Sequence, residues 1–379
     1  MRLAILFDYP EENWPSMDLA AAKLLEGLRS GASGLAVEAI RPSFVRLATA
    51  LPGLHGNRLA WNADRFFNRF LRYPPYLSSL FRSFDVFHVA DHSYAHLVHS
   101  LPNGRSGVFC HDLDAFRCLV EPDREPRPPW FRAMARRILR GLQKAAIVFH
   151  STQAVRSRIE QLGILPPERL VHAPYGVNAE FVPESPADER LPEVLQGRPY
   201  LLHVGSCVAR KRIDVLLEVF SRVRRRHADL RLMQVGGTWS SDQLERIESL
   251  GLRGSVVQVR GVEGRALAAL YRHAAVLLQP SDAEGFGMPV LEALACGCAV
   301  VASDLPVLRE VGGEGATYLP VGDVQAWSHA IAAILEAPSI APAVPLRLAQ
   351  ARRFSWAAHA NTVAQAYGRL ASGAGGRRR

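Results

Sequence analysis

The sequence predicts an α/β protein of two Rossmann-like domains, each a parallel sheet flanked by helices, and three observations carry that expectation. The chain has 379 residues, 48% hydrophobic and 21% charged, which suits two globular domains of ordinary size. Each half opens with a strand, a loop and an amphipathic helix: RLAILF, then DYPEENWPSMDL as loop, then LAAAKLLEGLRSG; and later YLLHV, a turn at Gly205-Ser206, then IDVLLEVFSRV. The third is the stretch 280–303, PSDAEGFGMPVLEALACGCAVVAS, which reads as a loop turning into a helix and then a buried strand. Pro289 suits the first turn of that helix, where its missing N–H costs nothing, and Gly297 is placed to end it.

Composition excludes several classes. No run of about 18 uncharged apolar residues occurs, and the apolar start is followed at once by charge, so neither a spanning helix nor a signal peptide is expected and the cytoplasm is the default. The five cysteines are odd in number and scattered, which argues for small core residues over disulfides or zinc. The net charge is +9, with 22 Lys and Arg against 16 Asp and Glu in residues 1–178 and 23 against 20 in the remainder. A basic first half suits an anionic membrane surface or an anionic acceptor, and no recognised nucleic-acid module accompanies it.

Along the first half, LAVEAIRP alternates as a second strand after the helix ending at Gly31. Residues 58–82 interleave Trp61, Phe66, Phe67, Phe70 and Tyr73 with Arg65, Arg69 and Arg72, and two readings stand: a core-packing helix with an arginine-coated face, or an acceptor or lipid site. FDVFHVAD and RSGVFCHDLDAF are two further strands. Each delivers polar residues at its carboxyl end, Asp91-His92 and His111-Asp112, at the rim where open α/β sheets bind ligands. WFRAMARRILRGLQK is the most basic helix, with Trp130, Phe131, Met134, Ile138 and Leu142 on one side and Arg132, Arg136, Arg140 and Lys144 on another. It reads as a crossover helix before AAIVFHS, with peripheral contact to an anionic membrane as the second reading.

In the second half, Arg210-Lys211-Arg212 stands at a helix start. Cations there are mildly unfavourable, and a bound diphosphate would compensate. LRLMQVGG ends at Gly236 and Gly237, SVVQVRGV follows, and ALAALYRHA leads back to the 280–303 stretch. There Glu284 precedes the helix and Glu292 lies about two turns inside it. A ligand across the helix start would meet Glu284 with one end, the backbone amides with its phosphates and Glu292 with a hydroxyl pair.

The string EGFGMPVLEALACG, between two buried strands, resembles the Glu, seven residues, Glu signature of glycosyltransferase family 4, retaining enzymes of the GT-B fold. The pattern covers residues 200–337 and, more loosely, the first domain. The resemblance implies two Rossmann-like domains facing an interdomain cleft: 1–178 for the acceptor and 179–353 for the nucleotide sugar. A helix at 354–371 then crosses back to the first domain, and the tail 372–379 reads as disordered. It implies catalytic roles for Glu284, His111, Arg210 and Lys211, with Arg210 and Lys211 neutralising the donor diphosphate. Donor contacts are implied for Gly205, Ser206, Gly236, Val262, Gly285, Phe286, Gly287, Met288 and Glu292. Asn13, Asp91, His92 and Asp112 are assigned to the acceptor side.

This chain departs from the family pattern in two places. The first loop carries Glu12-Asn13-Trp14-Pro15-Ser16-Met17-Asp18 where a Gly-Gly pair is common, and Ser206 stands where some members have arginine. The implied activity is transfer of a hexose-type sugar from a nucleotide sugar to a hydroxyl of a carbohydrate or lipid-linked acceptor, in polysaccharide or glycolipid synthesis. No cofactor is expected, and no metal either. The alternatives are a nucleotide-sugar hydrolase or epimerase of the same fold, or a non-catalytic nucleotide-sugar-binding scaffold.

Overall fold

The computed structural model describes residues 1–31, 34–184 and 197–375; most of the Pro-rich stretch 183–192 and the final four residues of the tail lie outside them. The chain divides into two compact units, Met1–Gly176 with Trp356–Arg379, and Val177–Ser355.

In the first unit six strands form one parallel sheet. They are β1 (Arg2–Leu6), β2 (Ala36–Ile40), β3 (Val86–Val89), β4 (Ser106–Cys110), β5 (Ile147–His150) and β6 (Leu170–His172), in the order β2-β1-β3-β4-β5-β6. β3, β4 and β5 are buried along their whole length, the burial expected of a sheet covered on both faces. The order reverses between β1 and β3, which opens a crevice at their carboxyl ends.

The first helix, Pro15–Ser30, begins four residues earlier than its apolar periodicity predicts, with Pro15 in its first turn. The segment around 58–80 is helical in three pieces, Arg58–Phe66, a π turn Phe67–Arg72 and Tyr73–Leu80. Its buried polar residues hold the preceding loop. Asp64 accepts from the backbone N–H groups of Leu47 (2.9 Å), Ala48 (2.7 Å) and Thr49 (3.0 Å), while Asn68 exchanges bonds with Val45 in both directions.

The basic helix, Pro129–Lys144, buries Ala135, Ile138, Gly141 and Leu142. A Cβ on Gly141 would stand 2.0 Å from the Ala95 carbonyl oxygen, so this helix packs backbone to backbone as a crossover element. Trp130, expected on the apolar side, is instead 67% exposed and meets Phe131 edge to face. The buried stripe starts one turn later, at Ala135.

The last helix, Trp356–Gly375, belongs to this unit and runs past residue 371. Tyr367 donates to the Phe87 carbonyl (3.1 Å) and meets His88 Nδ1 (2.9 Å), and His359 Nδ1 lies 3.1 Å from the Ala173 carbonyl. Gly107 makes room for the Tyr367 ring, since a Cβ there would be 2.2 Å from its hydroxyl.

The second unit repeats the plan. β7 (Tyr200–Val204), β8 (Arg231–Val235), β9 (Val256–Val259), β10 (Val276–Gln279), β11 (Val300–Ser303) and β12 (Thr317–Leu319) lie parallel in the order β12-β11-β10-β7-β8-β9. Its reversal falls between β7 and β10. Helices Ile213–Arg224 and Val324–Glu336 cover one face, burying Leu216, Phe220, Trp327 and Ile331 against Leu201, Leu232 and Val301. No helix among the described residues is long and apolar enough to cross a membrane.

Candidate functional site

The loops after β7 and β10 meet at the reversal of the second sheet. After β7, Gly205 has φ +149, a left-handed conformation open to glycine, and its N–H bonds the Val235 carbonyl (2.8 Å). A tight turn, Ala209–Lys211, and a left-handed Arg212 (φ 51) then start the helix Ile213–Arg224. After β10, Ser281–Gly287 leads into the helix Met288–Ala295, with Gly287 (φ +99) as its N-cap and Pro289 in the first turn. The two loops are tied together, since Asp282 N–H bonds the Arg210 carbonyl (2.9 Å) and Arg210 Nη1 bonds the Ala283 carbonyl (3.0 Å). The carboxylate of Glu284 therefore lies directly against the basic pair.

Glu284 Oε1 accepts from Lys211 Nζ at 2.6 Å and from Ser281 Oγ at 2.7 Å, and Oε2 accepts from Arg210 Nη1 at 3.2 Å. Gln279 Nε2 adds a fourth donor. Both side chains of the Lys211–Glu284 pair are nearly buried, at 8% and 6% exposure. Burial alone would raise the Glu284 pKa, but Lys211 and Arg210 outweigh it and hold the carboxyl below its ordinary value. The loop rests on a polar row across the sheet: His203 pairs in register with Gln234, and Gln234 with Gln258. Gln234 Nε2 bonds the Gly205 carbonyl (2.7 Å), and Gln258 Nε2 bonds Gln234 Oε1 (2.7 Å).

Glu292 sits apart from this cluster, buried in the same short helix. Its Oε2 accepts from the Tyr271 hydroxyl at 2.8 Å. Burial raises its pKa to about 7; the Tyr271 bond opposes this and the charge of Glu180 reinforces it. Gly236 (φ +100) lies against Gly205, where a Cβ would stand 3.5 Å from the Gly205 carbonyl oxygen. Ser206 is exposed, Phe286 buried against Phe354, and Val262 half-buried in the loop after β9.

In the first unit the residues following β3 and β4 cluster at the rim. His92 bridges two carboxylates, with Nδ1 3.1 Å from Asp91 and Nε2 3.4 Å from Asp112. Burial would lower its pKa, yet the two carboxylates raise it. Asp91 also accepts from Ser93 N–H (2.8 Å) and Ser93 Oγ (2.6 Å). His111 Nε2 lies 2.9 Å from the Ala90 carbonyl and its Nδ1 meets the Tyr175 hydroxyl, so both ring nitrogens are engaged. Burial lowers its pKa to about 4, leaving a neutral ring at pH 7 that donates to Ala90 and accepts from Tyr175.

The structure thus brings together Arg210, Lys211 and Glu284, and separately Asp91, His92, His111 and Asp112. Asn13 is not gathered into that second group; it stands exposed with φ 57 at the end of the turn Pro10–Glu12. Glu12 turns inward instead, accepting from Arg65 (3.1 Å) and Arg69 (3.2 Å). Sequence reasoning passed over Glu12, Asp8, Tyr271, Gln279 and Tyr175. Asp8 was within reach of the rule used for Asp91, because it too directly follows a strand; Tyr271 gave no signal, since its partner lies 21 positions away.

Comparison with known proteins adds three findings. The family described as Glycosyl transferases group 1 matches residues 187–352, and Glycosyltransferase Family 4 matches residues 30–181. The chain is 32% identical over 255 residues to O-antigen chain mannosyltransferase B of Escherichia coli, covering 65% of each chain. It is 33% identical over 225 residues to a GDP-mannose-dependent alpha-(1-6)-phosphatidylinositol monomannoside mannosyltransferase of Mycolicibacterium smegmatis, covering 56% of this chain and 59% of the relative. The matched stretches therefore span less than two thirds of these relatives, and only 33% of the mannosyltransferase WbdA of Escherichia coli. Among solved structures, sucrose-phosphate synthase of Thermosynechococcus elongatus aligns with a TM-score of 0.76 at 20% identity, over 98% of this chain and 100% of that one. HepE of Anabaena in complex with UDP-glucose aligns at 0.72 and 13% identity, over 97% and 99%. At these identities the likeness concerns the fold, which is GT-B.

Proposed function

The chain belongs to the glycosyl transferases of group 1 and family 4, and from that premise we propose that it moves a mannosyl residue from a nucleotide-mannose donor to a hydroxyl of a glycan or glycolipid acceptor, with retention at the anomeric carbon. The observation that carries this is the Lys211–Glu284–Arg210 cluster at the sheet reversal between β7 and β10, the position at which open α/β folds hold nucleotides. Mannose is favoured because the relatives named above are mannosyltransferases, one of them GDP-mannose-dependent.

In this reaction the bond from the sugar C1 to the diphosphate oxygen breaks. A bond from C1 to the acceptor oxygen forms on the same face, and the acceptor proton passes to the leaving diphosphate. Negative charge grows on the diphosphate while the sugar becomes cationic, so the gain comes from cations fixed in advance. Lys211 is already buried and oriented by Glu284, so little reorganisation is left to the reaction. In this reading, the arriving diphosphate takes over part of the Lys211 and Arg210 bonding, and Glu284 is released toward the sugar hydroxyls. Glu292 accepts from the ribose hydroxyls. His111 would have to exchange its bond to Ala90 or Tyr175 to touch the sugar. We assign no metal to the step, because the basic pair supplies the charge.

The test is thermal stabilisation by GDP-mannose, UDP-glucose and the free nucleotides, since a ligand binding the folded state raises the melting temperature. GDP-mannose is expected to stabilise the wild type by several degrees and Lys211→Ala hardly at all. Equal shifts in the two proteins would remove the diphosphate role. The exposed face of the helix Pro129–Lys144, with Arg136, Arg140, Lys144 and Trp130, is the surface we assign to contact with an anionic membrane. Sedimentation with phosphatidylglycerol vesicles is expected to carry the wild type down at low salt and to lose it when Trp130 and Arg136 are replaced by alanine.

A further inference from the structure

Beside the Lys211–Glu284 pair lies a buried side chain that the transfer step described above does not use. His203, in β7 two residues before Gly205, has no exposed surface, and neither of its ring nitrogens has a hydrogen-bond partner among the described residues. A buried imidazole left unpaired is costly unless something else satisfies it. Its in-register neighbour has nothing to spare: Gln234 Nε2 bonds the Gly205 and Val235 carbonyls (2.7 and 3.1 Å), and Gln234 Oε1 accepts from Gln258 (2.7 Å). Burial and the charge of Lys211 lower the His203 pKa to about 3 against the opposing pull of Glu284. The ring is therefore neutral, with one nitrogen protonated and the other carrying an open lone pair.

The space this ring borders is also bordered by Lys211. A Cβ on Gly205 would stand 3.4 Å from Lys211 Cε, 3.6 Å from Lys211 Nζ and 3.8 Å from His203 Cε1, so a glycine keeps open the gap between ammonium and ring edge. Cε1 is the carbon between the two nitrogens, and a small turn of the ring brings either of them toward that gap. Lys211 Nζ gives one hydrogen to Glu284 (2.6 Å); its other two have no partner among the described residues, although the side chain is only 8% exposed. Glu284, by contrast, is served several times over. Ser281, Gln279 and Arg210 also donate to it and would keep it satisfied if Lys211 turned away.

We propose that His203 is a positioning residue for the transfer step, its unprotonated ring nitrogen accepting from Lys211 Nζ once a diphosphate draws the ammonium off Glu284. An ammonium on a four-carbon stem can aim its three donors in many directions. With His203 holding one of them, the remaining N–H groups point in a fixed direction, and the stem does not have to be ordered anew for each turnover. Because the ring stays neutral, it accepts from Lys211 without adding a like charge. The diphosphate is taken from the transfer reading above; the pairing of His203 with Lys211 rests on the geometry.

The experiment compares the full chain with His203→Phe, which keeps a flat ring and removes the acceptor, and with His203→Gln, whose amide oxygen restores one. Inorganic pyrophosphate is titrated into each by calorimetry. His203→Phe is expected to bind it about tenfold more weakly than the wild type, and His203→Gln to recover most of that loss. Since His203→Phe leaves no buried nitrogen unpaired, it should melt no lower than the wild type, which separates lost positioning from a damaged fold. Nitrogen NMR of the histidine-labelled wild type gives a direct readout: the unprotonated nitrogen of His203, identified by its loss in His203→Phe, is expected to move upfield when pyrophosphate is added. With GDP-mannose and methyl α-mannoside, His203→Phe should lower kcat about tenfold and leave KM for methyl α-mannoside unchanged. Equal pyrophosphate affinity in wild type and His203→Phe, no rescue by His203→Gln, a stationary nitrogen signal, or a wild type that binds no pyrophosphate would each overturn the proposal. Should the pyrophosphate and NMR results hold while no disaccharide forms, the transfer reading fails and the pairing of His203 with Lys211 stands; wild-type turnover by His203→Phe would leave transfer standing and remove His203 from it.

Discussion

At the scale of single residues, two carboxylates eight positions apart carry opposite electrostatics. Glu284 is ionised because two cations face it, whereas Glu292 is raised to about 7 by burial with only a tyrosine to answer it. The consequence for stability can be signed. The folded pKa lies above the ordinary 4.5, so the unfolded chain loses this proton first as pH rises, and stability falls between about 4.5 and about 7 and is level beyond. Glu292→Gln is therefore expected to melt higher than the wild type at pH 8 and no higher at pH 4.5, as melting curves across that range will show. Ribose hydroxyls donating to Glu292 favour its ionised form, so donor binding should release a proton below pH 7. Calorimetry in buffers of different ionisation heat will read that proton at pH 6, and Glu292→Gln should abolish it. The sequence placed both carboxylates in one site but was blind to this difference. It depends on Tyr271, Glu180 and Lys211, which lie far along the chain from Glu292 or Glu284.

At the scale of elements, glycines and strand ends decide what reaches the site. Gly287 takes φ +99 as the N-cap of the helix that bears Glu292, and a Cβ there would press to 2.7 Å from Leu308 Cδ2. Gly287→Ala should cost about 1–3 kcal/mol in denaturant unfolding and weaken donor binding with it. In the first unit, Asp64→Ala would strand the N–H groups of Leu47, Ala48 and Thr49, and a loss of about 3 kcal/mol is expected from urea unfolding. Strands and helices were largely legible because buried parallel strands are short apolar runs and helices show their period. The inward Glu12 and the outward Asn13 were not, since a left-handed residue in an irregular loop leaves no periodic trace. Trp130 misled for a related reason: a helical period identifies a face, but not how much of its length the rest of the fold covers.

At the scale of the whole molecule, the same topology is built twice and put to different uses. Each sheet reverses its order after the first two or three strands, and each gathers charged residues at its carboxyl rim, cations with Glu284 at the reversal in one unit and carboxyls with histidines after β3 and β4 in the other. The repetition of the plan was visible in the sequence as two strand, loop and helix openings. The last helix completes the first unit through Tyr367, so Tyr367→Ala should cost about 3–5 kcal/mol there while the GDP-mannose melting shift persists. Transfer itself is read by proton NMR of a reaction containing GDP-mannose, methyl α-mannoside and the purified chain. With the wild type, donor loss is expected to be matched by an α-linked disaccharide, and Lys211→Ala is expected to form almost none. Release of free mannose alone, a β-linked product, or full activity in Lys211→Ala would contradict the proposed function.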